Sequence, residues 1–256
     1  ADQLNVYDSL YLQLGIDYAQ VPVQFKRPVM KSYSADHRRR TDLFSMLYHE
    51  QRGDWRGAPY WVVAPTTLSS LRVANYGTWL TVINSLAEVA NVIVVGQANN
   101  SLLPVAGLSF NEFQRGVEEL AATKRQVVNL IGRTPLRLLV GLVEAAEGVI
   151  SLDSGLLYVA QALRTPAVSV WGPHSPAVRL GYDEPYMELA VWEKEACPAA
   201  PCFAYREFPV RKCPRGALQK SCEPLSQVAP AKILEKVQVV VARRQGAMAP
   251  IKAAVV

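Results

Sequence analysis

The stretch Val149-Ile-Ser-Leu-Asp-Ser-Gly-Leu-Leu-Tyr-Val-Ala-Gln-Ala-Leu163 passes from an apolar run to a helical pattern through only three residues, Asp153-Ser154-Gly155. It predicts a buried strand, a tight turn and a helix that starts at once. Such a junction sets free backbone N–H groups and the positive end of a helix at the carboxyl edge of a strand, where a phosphate or a sugar hydroxyl fits. In open α/β sheets that edge is where ligands bind. The carboxylate of Asp153 or the hydroxyl of Ser154 equally suits an N-cap, so the turn alone leaves open a plain helix start and a ligand loop.

The flanking chain repeats the pattern. Apolar strands are predicted at 60–64, 91–95, 127–131 and 167–171, with a last one at 187–192. Helices are predicted at 79–90, 109–123, 135–146 and 225–243. Ser109 with Glu112 three residues on is a capping box, and Pro135 opens its helix in the first turn. Continuous apolar strands alternating with helices mean a parallel sheet covered on both faces, a doubly wound α/β domain from 59 to 243. Residues 1–58 read as a reduced N-terminal segment and linker: helical from Asn5 to Leu14, extended with two prolines from Val21 to Met30, helical again from Ala35 to Glu50. Residues 244–256 read as a loose tail.

Half of the 256 residues are hydrophobic, enough for a sizeable core. No apolar run reaches the length of a membrane-spanning helix, and no secretory signal stands at the start. The net charge of +5 suits anionic ligands without identifying one. The only compact basic run, Arg38-Arg39-Arg40, reads as a solvated helix face.

Several strands end in polar loops at one edge. Thr66 and Thr67 follow the first, with Arg72 close enough in sequence to neutralise a phosphate. Gln97 and Asn99 follow the second, Asp153-Ser154-Gly155 the fourth, and His174 the fifth. Together they make a polar cleft; singly, each is also ordinary turn chemistry. Cys197, Cys202, Cys213 and Cys222 crowd into one late segment. Their spacing is not the paired Cys-x-x-Cys of a convincing zinc site, so structural zinc, disulfides and four unlinked thiols all remain open.

In order, these blocks resemble the C-terminal half of glycosyltransferase family 9, the ADP-heptose–lipopolysaccharide heptosyltransferases. Asn129-Leu-Ile-Gly-Arg-Thr-Pro-Leu136 is similar to the family's "dLtGkTsL", and 149–163 to its "vvsnDSGxxHlAaAl". The run 165–176 is similar to "tPvvalfGpTdP", and Cys202-Phe203, Cys213-Pro214 and Cys222 to "CxPCF…CP…C". The resemblance implies a GT-B architecture, with this half binding a nucleotide-diphosphate sugar, ADP-linked, through Thr66, Thr67, Asp153, Ser154, Gly155 and Leu156. It implies transfer of a heptose or hexose to a glycan or lipid-linked acceptor without a cofactor, in the cytoplasm at the inner membrane face. Another domain or chain would supply the acceptor side and the catalytic base. Three departures stand out: Tyr158 where the family has histidine, Leu71 and Arg72 where it has a phosphate-binding lysine, and Asn99 or Asn100 where it has an acid. They leave room for an inactive binding or structural subunit, and charge alone for a nucleic-acid-associated protein.

Overall fold

In the computed structural model, the described residues are 5–30, 59–67, 72, 74–98, 108–180, 182–202, 213, 222–244 and 246. The expected helix at 35–50, the basic run, Asn99, Asn100 and the tail beyond 246 lie outside them.

The sheet has six strands: β1 (Tyr60–Ala64), β2 (Asn91–Val94), β3 (Val127–Asn129), β4 (Gly148–Leu152), β5 (Ala167–Trp171) and β6 (Ala190–Trp192). All pair in parallel, in the order β3-β2-β1-β4-β5-β6. Every residue of β1, β4 and β5 is buried, which is why these strands read as continuous apolar runs. Their side chains alternate between two cores. Trp61 and Val63 face one, Tyr60, Val62 and Ala64 the other.

The first core is closed by α2 (Tyr76–Leu86), α3 (Phe110–Thr123) and α9 (Pro230–Arg244). The second is closed by α4 (Leu136–Ala145), α5 (Gly155–Leu163) and the short α6 (Pro176–Leu180) and α7 (Glu184–Glu188). The capping box of α3 forms as expected, Ser109 and Glu112 bonding each other's backbone N–H groups.

Three expectations shift. The predicted strand 187–192 begins as α7, and only its last three residues pair, as β6. The predicted helix 225–243 splits into α8 (Glu223–Ser226) and α9, because Pro230 has no N–H to carry one helix through and starts a new one instead. The run 21–30 is not extended throughout: Val23–Phe25 makes a tight 3-10 turn.

The N-terminal residues pack against the domain as a strap. Its helix α1 (Val6–Gln13) is capped by Asn5, whose side chain accepts from Tyr7 N–H and donates to the Ala177 carbonyl on α6. Lys26 pairs with Asp8 at 2.9 Å, with the two side chains only 6% and 5% exposed. Tyr182 donates its hydroxyl to Asp8, and Lys26 lies 4.6 Å from the centre of the Tyr182 ring. Met30 N–H bonds the Ala162 carbonyl at the far end of α5.

Candidate functional site

The strand order fixes where a ligand can enter. From β1 the chain steps outward through β2 and β3, then returns to lay β4 on the other side of β1. Connections leaving β1 and β4 therefore diverge, and a crevice opens between them at the carboxyl edge. Thr66 and Thr67 follow β1 and Asp153-Ser154-Gly155 follows β4, so both turns lie at that edge.

Arg72 spans the crevice. Its Nη1 donates to the Asp153 carbonyl at 2.9 Å and lies 3.8 Å from Asp153 Oδ2, and its side chain is 22% exposed. Asp153 is only 4% exposed and is the hub of the site. His174, on the loop after β5, sets its Nδ1 3.0 Å from Oδ2, and Tyr158 donates its hydroxyl to Oδ1 at 3.3 Å. Burial alone would lift the Asp153 carboxyl. The His174 hydrogen bond and the charges of Arg72 and Arg179 outweigh it and hold the group below the usual carboxylate range. An ionised carboxylate only accepts, so the proton in the His174 contact sits on Nδ1. Burial and the Asp153 charge push the Tyr158 hydroxyl up, so it stays a neutral donor.

The start of α5 is open. Ser154 occupies the cap position, but its side chain bonds no helix N–H; its Oγ lies 3.0 Å from Ser151 Oγ. By helix geometry the N–H groups of Gly155 and Leu156 have no intrahelical carbonyl to bond. Gly155 is exposed, and a methyl group added there would meet nothing within 4 Å. Neither reading of a capped helix start holds here. Asp153 is turned to His174, Tyr158 and Arg72, and Ser154 to Ser151.

Thr66 is buried, and its Oγ1 accepts from Gln97 N–H at 3.3 Å, tying the loop after β1 to the loop after β2. That contact needs Gly96, since a Cβ there would come within 2.2 Å of Thr66 Oγ1. Thr67 is half-buried and Gln97 is exposed. The structure thus brings Arg72, Tyr158 and His174 onto Asp153, while Thr66 is tied to Gln97 and Ser154 to Ser151. What spacing missed is the division of labour. Asp153 is consumed by protein partners and acts by holding others, and Arg179 on α6 adds its charge to Asp153. Tyr7 on the strap is near enough to Tyr158 to bear on its ionisation, a neighbour no local pattern could supply.

The cysteines flank this edge. Cys202 N–H bonds the Pro173 carbonyl at 2.7 Å, one residue before His174, and Cys222 precedes α8. Cys197 and Cys222 are buried, Cys202 and Cys213 half-buried, and all are free thiols. Burial pushes the Cys222 thiol up to about 12, and the other three cysteines are close enough to add to the shift. Among the described residues no group of three or more metal-ligating side chains is arranged to hold an ion.

The family model for "Glycosyltransferase family 9 (heptosyltransferase)" matches residues 10–207, well over half of the chain. The chain belongs to glycosyltransferase family 9. The family match begins within the strap, in α1. Lipopolysaccharide heptosyltransferase 2 of Escherichia coli is 42% identical over 72 residues, 27% of this chain and 21% of that protein. Its counterpart from Salmonella typhimurium is 39% identical over 72 residues, with the same shares. Among solved structures, E. coli ADP-heptose heptosyltransferase II superposes with a TM-score of 0.57 at 16% identity, covering 85% of this chain and 54% of that one. A family 9 protein of Veillonella parvula superposes with a TM-score of 0.56 at 13% identity, covering 84% and 53%. The iron-containing dodecameric glycosyltransferase TibC of E. coli gives 0.55 at 19% identity, covering 75% and 48%. The chain therefore spans about half the length of its solved family 9 neighbours. Among the described residues no helix is long and apolar enough to cross a membrane.

Proposed function

We propose that this chain holds the nucleotide-diphosphate sugar of a family 9 glycosyl transfer, with an ADP-linked heptose or hexose as donor. The carrying observation is the open start of α5 facing Arg72 across the crevice between β1 and β4. A diphosphate in that crevice would accept from the Gly155 and Leu156 N–H groups and from Arg72, and the helix end would stabilise the charge that grows as the nucleoside diphosphate leaves. Arg72 does here the work of a phosphate-binding lysine, with a planar fork in place of a point charge. Asp153 and His174 form the buried floor beneath. Thr67 and Gln97 border the nucleoside side.

In this reading the acceptor, a glycan or a lipid-linked sugar, meets the donor at the mouth of the crevice, and the base that takes its proton comes from another domain or chain. Transfer itself calls for no cofactor, and the setting is the cytoplasm, at the inner membrane face. Full engagement of Asp153 by its neighbours, and Tyr158 in place of a histidine, favour a second reading: a subunit that binds the donor without turning it over. The three other thiols, each near enough to act on Cys222, could be drawn together with it by zinc. Metal analysis of the purified chain decides that point, and a metal-free protein refutes it.

Calorimetric titration with ADP and ADP-sugars tests the donor site. Binding should weaken about tenfold or more in Arg72→Ala, the loss expected for one charge-assisted phosphate contact. A native chain that binds no nucleoside diphosphate ends the proposal. Retained binding with no transfer to any acceptor, with the second half supplied, selects the subunit reading.

A further inference from the structure

Two side chains that the sequence sets in different blocks meet on Asp153. The family 9 pattern carries histidine at position 158 and threonine at 174, where this chain carries Tyr158 and His174. Position 158 lies on α5 and position 174 on the loop after β5. Their side chains nevertheless end on the two oxygens of one carboxylate. The Tyr158 hydroxyl donates to Oδ1 at 3.3 Å, and His174 Nδ1 lies 3.0 Å from Oδ2. A buried carboxylate needs donors, and the imidazole absent from α5 arrives here from the neighbouring loop. The departure at 158 is thus matched in space by the one at 174.

The loop that carries His174 is clamped. Trp192 on β6 donates its indole N–H to the Gly172 carbonyl at 2.9 Å, and Cys202 N–H bonds the Pro173 carbonyl at 2.7 Å. A Cβ at Gly172 would come within 2.5 Å of Leu225 on α8, so the loop packs tightly on that helix. The imidazole is therefore a fixed donor, only 3% exposed. Arg72 Nη1 stands 3.8 Å from the same Oδ2, outside hydrogen-bond length, while it bonds the Asp153 carbonyl at 2.9 Å. A buried carboxylate oxygen stripped of its N–H donor draws the nearest cation closer, because the attraction there is weakly screened. With the His174 N–H in place, Oδ2 already has a donor, and the guanidinium keeps its charge for an anion in the crevice.

We propose that His174 is a positioning residue of the donor site: in exchange for the histidine absent at 158, it occupies Oδ2 of Asp153 from the loop after β5 and so keeps Arg72 turned to the diphosphate. The ligand rests on the donor-site reading; the hold on Arg72 does not. The test pairs calorimetric titration with ADP and, without ligand, NMR of the Arg72 guanidinium, whose rotation slows when it closes on a carboxylate. His174→Ala should bind ADP about tenfold more weakly, the scale of one charge-assisted contact withdrawn from a phosphate. It should also slow the guanidinium rotation. His174→Asn offers an N–H at nearly the place of Nδ1 and should restore both readouts toward the native values. In the Arg72→Ala background, His174→Ala should cost less than about twofold more, because its route to the ligand is gone. The exchanged pair Tyr158→His with His174→Thr should bind ADP more tightly than His174→Thr alone. Native affinity in a folded His174→Ala overturns the proposal. So does His174→Asn as weak as His174→Ala, a full further loss in the Arg72→Ala background, or an exchanged pair no better than His174→Thr. A native chain that binds no ADP ends the donor-site reading instead; the guanidinium measurement then decides alone, and rotation unchanged in His174→Ala refutes the hold on Arg72.

Discussion

Replacing Asp153 by alanine removes one carboxylate on which three side chains converge. His174 loses the partner of Nδ1, and with its side chain only 4% exposed that N–H has no water to turn to, at a cost of about 1–3 kcal/mol. Tyr158 is half-buried and can swing its hydroxyl toward solvent, which limits its loss to about 1 kcal/mol. Arg72 keeps its bond to the backbone carbonyl of residue 153 and loses only the longer 3.8 Å charge contact. The total is about 2–4 kcal/mol, reaching the lower part of the range for breaking a buried ion pair. For a domain of this size that lowers the melting temperature by about 10 °C. Urea unfolding followed by tryptophan fluorescence measures it. Asp153→Asn keeps the shape and one acceptor oxygen and should cost about half as much. The carboxyl is held below its ordinary value in the folded chain. The stability it contributes is therefore fully present above the unfolded value of about 3.9, and is lost as the pH falls through the lower folded value. The gap between the native chain and Asp153→Asn should accordingly close only in that acid range. An alanine cost under about 1 kcal/mol, or an asparagine variant as unstable as alanine, would refute the hub.

Gly148→Ala should destabilise the fold by about 1–3 kcal/mol, because the new Cβ would lie 2.5 Å from the fully buried Trp61 ring at the start of β4; chemical denaturation measures it. Lys26→Ala strands the buried Asp8 carboxylate, at about 3 kcal/mol. Hydrogen exchange should show the α1 amides opening while those of β1 and β4 stay protected, and unchanged protection of α1 would count against the pair as the strap's anchor. With its thiol pushed up to about 12, Cys222 should be the slowest of the four cysteines to alkylate at pH 8, as read by mass spectrometry of timed iodoacetamide reactions. Equal labelling of Cys222 and Cys202 would contradict its burial.

The alternation of strands and helices was legible because the inner strands β1, β4 and β5 are buried on both faces, and only continuous apolar runs survive there. The turn at Asp153-Ser154-Gly155 was legible for the same reason, since a fully buried strand running straight into a helix leaves few residues for the junction. Element ends were less so. Residues 187–192 carry an apolar run that fits a strand or a short helix, and only docking beside β5 decided that three of them pair. The proline at 230 was visible, but whether it kinked or restarted the helix depended on packing against α2 and the sheet.

By itself, the sequence determined the class of fold, the polar edge and the family pattern, all of which are local: periodicity, turn chemistry and short blocks along the chain. The strand order, and with it the crevice between β1 and β4, was decided only in three dimensions, because parallel pairing joins residues some ninety positions apart, as Trp61 with Gly148. The roles inside the site followed the same divide. Asp153 looked like a cap or a ligand contact, and became a hub because folding buried it among His174, Tyr158 and Arg72, which arrive from three separate elements. A buried carboxylate takes whatever donors surround it, and no run of neighbouring residues records which those will be.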